Sequence, residues 1–145
     1  LYPVRQFQGQ SNGTQMGQDV KIAVTGAGGR MGRTLIRLIA ETDGLALAGG
    51  LEAEGSPHLG SDLGTLAGLA EPLGIEATAD ALTLIKDADA LIDVSVPAAT
   101  VEFAALTAQA RIVHVIGTTG FTQEDEARIE AAARHATIVL SVIQI

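Results

Sequence analysis

The feature that most constrains this chain is a glycine-rich turn, Gly26-Ala27-Gly28-Gly29-Arg30-Met31-Gly32, set between an apolar stretch and an amphipathic one. The stretch before it, Val20-Lys21-Ile22-Ala23-Val24-Thr25, is short, β-branched and apolar, which predicts a buried strand. The stretch after it, Arg30 to Glu41, puts Met31, Leu35, Leu38 and Ile39 on one face at helical spacing. Gly44 is expected to end that helix. A helix that starts straight out of such a turn offers free backbone N–H groups and a partial positive charge. That combination suits a phosphate, which bulky side chains would hold away. Gly26 lets the chain leave the strand tightly. Gly29 or Gly28 lets backbone approach a phosphate, and Gly32 lets the helix pack on the sheet. The spacing Gly26, Gly29, Gly32 is G-x-x-G-x-x-G, which departs from the common G-x-G-x-x-G fingerprint. Gly-rich turns also serve as plain strand-to-helix connections, so the flanking strand and helix carry the dinucleotide-binding reading.

The rest of the chain repeats the alternation. Leu45 to Leu51 reads as a second strand. Residues 53–74, rich in Gly, Ser and Pro, read as a long loop with one helical turn at most. Ile75-Glu76-Ala77 is expected to be a short strand, and Thr78 to Lys86 a helix capped by Thr78. Ala90 to Ser95 is a further apolar strand, and Pro97 opens a helix that runs to about Ala110. Ile112 to Ile116 is a strand. Thr122 with Asp125 forms a capping-box pattern for a helix ending near His135, and Thr137 to Val142 is a last strand. This predicts an α/β, doubly wound, Rossmann-like fold with a mostly parallel sheet and helices on both faces. Residues 20–145 form one dinucleotide-binding domain in this reading. Residues 1–19, polar and rich in Gln and Gly, read as a flexible extension. Met16 is a candidate natural start, which would make residues 1–15 extraneous.

Composition narrows the partners. The 145 residues are 47% hydrophobic but only 3% aromatic, so a globular core must rest on Ala, Leu, Ile and Val. A net charge of −8 argues against nucleic acid and anionic membrane as partners. Any bound phosphate must then be held locally. There is no cysteine, hence no disulfide, thiolate metal site or Cys nucleophile, which fits a reducing cytoplasm. No apolar run approaches the roughly 18 residues that span a bilayer.

Glu52 follows the second strand, where an acidic residue commonly accepts from the adenosine ribose hydroxyls. It stands 26 positions after Gly26, a little beyond the usual separation of about 20. A solvated loop carboxylate is the competing reading. Gly117-Thr118-Thr119-Gly120 follows a strand at its C-terminal end, where ligands sit in such sheets. Its N–H and hydroxyl groups suit the nicotinamide side of a cofactor, or simply cap a turn. His114, inside an apolar strand, reads as a satisfied core or edge histidine rather than a catalyst. His58 and His135 read as a loop and a helix-end residue without special roles. Asp93 reads as a strand-end hydrogen-bonding carboxylate with no assigned chemistry. No His/Asp/Glu cluster has metal-ligand spacing, and no G-x-S-x-G elbow is present.

Taken together, these segments resemble the dihydrodipicolinate (4-hydroxy-tetrahydrodipicolinate) reductases of lysine and diaminopimelate synthesis. Val24 to Gly32 is similar to their cofactor signature. Gly50-Leu51-Glu52, Gly55-Ser56 and Gly60-Ser61-Asp62-Leu63-Gly64 resemble the next segment. Asp93 to Pro97 and Val115 to Phe121 resemble two more, and the likeness spans residues 20–139. The resemblance implies that Gly26, Ala27, Gly28, Gly29, Arg30 and Met31 cradle the pyrophosphate. It implies that Glu52 binds the adenosine ribose and that Gly117, Thr118 and Thr119 line the nicotinamide site. Family members that use NADPH well often carry Arg after that Glu, and here the position is Ala53. NADH is therefore the expected cofactor and NADPH a possible one, with Arg30 a partial substitute for the missing Arg.

The family pattern continues into a second domain, whose His-His-x-x-Lys motif binds a small dicarboxylate and which builds a homotetramer. No such motif follows here, and Leu140 to Ile145 departs from the family at the same point. The ending reads as a truncation, a frameshift or an engineered stop. No catalytic residue is assigned within the chain, which alone is expected to bind cofactor weakly and catalyse little. The competing readings are the cofactor domain of another two-domain Rossmann dehydrogenase, or a non-catalytic nucleotide-binding module.

Overall fold

The glycine turn hands the chain from sheet to helix in very little space. The computed structural model describes residues 18–134 and 136–140. In it β1 (Val20–Thr25) ends at Gly26, whose φ of +61° favours glycine. α1 (Arg30–Glu41) starts with Gly29 as its N-cap. A Cβ at Gly32 would strike the Gly26 carbonyl and the Ala27 backbone, so this face of α1 lies hard against the turn. The approach sets the rotation of the helix. Gly32, Ile36 and Ile39 are buried, and Leu35 packs beside Ile39 against β1. The expected face is thereby corrected: Met31 and Leu38 are 55% and 54% exposed.

β2 (Leu45–Leu51) pairs parallel with β1, and a register shift between Ile22 and Ala23 leaves Ala48 as an extra residue. Gly44, at φ +86°, lies in the bend between α1 and β2. The loop after β2 contains one short helical turn, α2 (Leu63–Leu66), as expected. Asp62 closes that loop: its carboxylate accepts from the backbone N–H groups of Thr65, Leu73 and Gly74. Residues 75–77 form no full strand. They make an isolated antiparallel bridge, Asp62 with Glu76, while Thr78 makes a parallel bridge with Leu51. Thr78 donates to Gly50 O at 3.0 Å and accepts from Glu52 N at 2.9 Å, so it is committed to the edge of β2. Its hydroxyl accepts from Asp80 N at 3.1 Å, before the next helix begins, so it caps no residue of that helix. α3 (Ala81–Lys86) begins later than expected, and Asp80 caps it by accepting from Thr83 N at 3.1 Å.

β3 (Ala90–Asp93), α4 (Pro97–Ala110), β4 (Val113–Ile116), α5 (Gln123–Ala133) and β5 (Ile138–Leu140) complete the described chain. Pro97 occupies the first turn of α4, and Thr122 with Asp125 forms the capping box of α5. β3 stops short of Ser95 because the Ser95 N–H turns back to the Asp93 carboxylate. The sheet is parallel throughout, in the order β2-β1-β3-β4-β5. Thr78 stands outside β2, where a third strand of the six-stranded Rossmann order would lie. α1 covers Ile22, Val24 and Ile92 on one face, and α3 and α4 cover Ala23, Leu91 and Ile112 on the other. α5 packs with α4 over Ile116. The expected doubly wound α/β fold is the one found.

Residues 1–17 of the expected extension, His135 and residues 141–145 lie outside the described residues. Among the described residues, no helix is long and apolar enough to cross a membrane.

Candidate functional site

Strand order reverses between β1 and β3, and in open parallel sheets ligands collect outside the strand ends at that reversal. The glycine turn lies there. A cleft of about 340 Å³ opens beside it, walled by Thr25 and Gly26 at the end of β1, Leu51 to Ala53 at the end of β2, and Val94 to Val96 after β3. Ala99 and Phe103 of α4 close its far side.

Two of the expected site segments meet directly. Glu52 Oε1 accepts from Gly28 N–H at 2.6 Å. A Cβ on Gly28 would collide with that carboxylate oxygen and with the His58 ring. Glycine at position 28 is thus needed for space, and position 26 for backbone conformation. Gly29 N–H donates to Gly26 O at 2.9 Å, which tightens the turn. Ala27 is fully buried, and its N–H donates to Leu51 O at 3.1 Å. Arg30 and Met31 are exposed, and among the described residues no acceptor faces their backbone N–H groups. Those donors form the open start of α1.

Two neighbours of this turn carry no sequence signal. Arg33 reaches back from α1 and donates Nε–H to Gly28 O at 2.8 Å. His58, read as a plain loop residue, is half-buried beside Gly28 and Glu52. Only the path of the loop after β2 brings it there.

Gly117, Thr118 and Thr119 lie across Val94 from the glycine turn. A Cβ at Gly26 would stand 3.3 Å from Val94 O, and one at Gly117 would stand 3.3 Å from Val94 Cγ1. The segments are therefore adjacent along the strand ends. Thr119 is exposed, whereas the Thr118 side chain turns inward. Thr118 Oγ1 accepts from Thr100 Oγ1 at 2.9 Å and lies 3.4 Å from both Asp93 Oδ1 and the Asp93 carbonyl.

Asp93 organises a polar cluster that sequence reading missed. Both it and His114 are fully buried. His114 Nε2 stands 2.9 Å from Asp93 Oδ2. Thr25 Oγ1 donates to Oδ1 at 3.0 Å, and Ser95 donates through its N–H at 3.1 Å and its hydroxyl at 2.5 Å. Burial raises the Asp93 pKa. The hydrogen bonds from His114 and Ser95 and the charge of His114 outweigh it and hold the carboxyl below its ordinary value. No buried side-chain polar atom among the described residues lacks a partner.

Comparisons with known proteins give the family. Residues 20–142 match the family described as dihydrodipicolinate reductase, N-terminus. The chain is 81% identical over 124 residues to the 4-hydroxy-tetrahydrodipicolinate reductase of Parvibaculum lavamentivorans, covering 86% of this chain and 46% of that protein. It is 55% identical over 123 residues to the enzyme of the same name from Rhizobium meliloti, covering 85% and 45%. The chain thus spans about half the length of the curated relatives it matches. Among solved structures it resembles a dipicolinate-bound dihydrodipicolinate reductase from a Paenisporosarcina species, with a TM-score of 0.58 and 24% identity over 79% of this chain and 43% of that one. It also resembles an amine dehydrogenase from Mycobacterium smegmatis, with a TM-score of 0.64 and 21% identity over 84% and 38%. Both likenesses concern the fold. Because the family match runs through the glycine turn, Glu52 and the Gly117 loop alike, the chain belongs to the family of dihydrodipicolinate reductase N-terminal domains.

Proposed function

We propose that this chain is the NAD(P)H-binding part of a 4-hydroxy-tetrahydrodipicolinate reductase, and that it prefers NADH. The observation that carries the reading is the carboxylate of Glu52 seated on the backbone of Gly28 at the sheet's switch point. The residues fit the cofactor. Gly26 to Gly29 offer a turn with little side-chain bulk, and Arg30 and Met31 an open helix start, for the pyrophosphate. Glu52 is held where the second strand ends, as an acceptor for the adenosine ribose hydroxyls. The cleft beside Ala53, Val96 and Phe103 suits an adenine ring. Gly117, Thr118 and Thr119 line the nicotinamide side, Thr118 through its backbone because its hydroxyl is committed inward.

When bound, the nicotinamide supplies a hydride. In the whole enzyme the acceptor is a cyclic unsaturated dicarboxylate, held by residues outside this chain, and the assembly is a homotetramer. Within this chain the residues bind and orient the cofactor.

The NADH preference follows from charge. A 2′-phosphate would meet the Glu52 carboxylate, and exposed Ala53 supplies no compensating cation. Arg30, exposed at the start of α1, offsets part of that repulsion. The test compares the dissociation constants of NADH and NADPH. Tighter NADH binding is expected, and tighter NADPH binding overturns the preference.

A further inference from the structure

We infer that the buried pair Asp93 and His114 is a positioning device for the Gly117–Gly120 loop, acting through Thr118, and that it sets the affinity for the nicotinamide half of the cofactor. The inference rests on the cofactor reading above.

A carboxylate and an imidazole, both without solvent exposure, face each other inside a parallel sheet. Taking such groups out of water is expensive, and apolar side chains of similar size pack there at less cost. Stability of the sheet does not explain the choice. What the polar groups add is direction. Asp93 Oδ2 is held by His114, so Oδ1 is left to gather Thr25, Ser95 and Thr118. The carboxylate thereby ties the C-terminal ends of β1 and β3 to the loop after β4. The Asp93 backbone adds a second hold, since Gly117 N–H donates to Asp93 O at 2.8 Å.

Thr118 is the point of transmission. Its hydroxyl accepts from Thr100 of α4 and has Asp93 Oδ1 within reach of its one hydrogen. With the side chain fixed from below, the orientation of the Thr118 and Thr119 peptides is fixed too. Among the described residues no acceptor faces the N–H groups of Thr118 or Thr119. They are free to meet a carboxamide. Removing His114 would leave Oδ2 buried without a donor, and the carboxyl must then reorient or protonate. Either change withdraws the side-chain acceptor of Thr118 and leaves it only the Asp93 carbonyl.

The test separates the two halves of the cofactor. Calorimetry on the 145-residue chain measures NADH against ADP-ribose, which lacks the nicotinamide. For His114→Leu, NADH affinity is expected to fall about tenfold while ADP-ribose affinity stays within about twofold. His114→Gln, which retains a donor toward Asp93, is expected to recover most of the loss. Thr100→Val removes one hydroxyl beneath the loop and serves if His114→Leu does not fold. It is expected to give the same selective loss at smaller size. Equal losses for the two ligands, or no loss with NADH, overturn the positioning role. A wild-type chain that binds neither ligand overturns the cofactor reading and the positioning role with it.

Discussion

Glu52 Oε1 accepts a hydrogen bond from Gly28 N–H at 2.6 Å, so the acidic end of β2 is tied to the glycine turn that ends β1. The pairing predicts the effect of removing the carboxylate. Hydrogen bonds to charged groups contribute about 1.5–3 kcal/mol. Glu52→Ala is therefore expected to weaken NADH binding by about 10- to 100-fold. NADPH, which the carboxylate repels, is expected to lose less, so the gap between the two cofactors narrows. Calorimetric titration of both cofactors measures this. A parallel loss for NADH and NADPH contradicts the ribose role.

Gly28 and Gly32 are predicted to fail in different ways. A Cβ at Gly28 meets the ends of two side chains, Glu52 and His58, which can move. Gly28→Ala is expected to displace Glu52 from the Gly28 N–H, to lower the midpoint of urea unfolding less than Gly32→Ala does, and to abolish most NADH binding. A Cβ at Gly32 meets backbone of Gly26 and Ala27. Gly32→Ala is expected to destabilise the chain by about 1–3 kcal/mol, the usual cost of overpacking. Equal stability of the two variants contradicts this account of the turn.

Asp93 links stability to pH. Its folded pKa lies below the ordinary 3.8. A depressed carboxyl contributes stability that is fully present above the unfolded value and is lost as pH falls through the folded value. The Asp93 contribution is thus present in full above about pH 3.8 and is lost progressively below it, as pH falls through the lower folded value. Asp93→Leu leaves the donors of Thr25, Ser95 and His114 buried without their acceptor. It is expected to cost about 3–5 kcal/mol at pH 7. Its stability is expected to fall less steeply than that of wild type as pH drops below 4. Urea titrations across the acid range check both statements.

The turn and Glu52 were legible because each is a local signal: a strand, glycines, then a helical period, and an acid after the next strand. Asp93 and His114 also stood out singly, as polar residues in apolar strands. Their pairing was not legible, because it depends on strand register. Leu91 lies opposite His114, and Asp93 opposite Ile116, so the two polar residues meet along a diagonal on one face. Alternation cannot supply that offset. The contact of Thr25 with Asp93 spans 68 positions and depends on strand order as well. Arg33 and His58 stayed hidden for other reasons: one reaches back five residues to a carbonyl, and the other is placed by the path of a loop. The apolar period of α1 misled because Met31 and Leu38 share a stripe that the close approach at Gly32 turns outward.

The capping box of α5 is a local prediction with a local test. Thr122 Oγ1 accepts from Asp125 N at 3.1 Å, and Asp125 Oδ2 accepts from Thr122 N at 3.0 Å. Thr122→Ala is expected to lower stability by about 1 kcal/mol without changing NADH affinity. Urea unfolding measures the first effect and calorimetry the second. A change in affinity would place this cap in the binding site.

The central claim is that one nicotinamide dinucleotide lies along the strand ends, from the glycine turn to the Gly117 loop. Backbone amide shifts recorded by NMR during an NADH titration test it most directly. The account predicts saturable shifts that are largest at Gly28 to Met31, Glu52 and Gly117 to Thr119. Saturable shifts that leave those amides unmoved, or the absence of any saturable shift, would contradict it.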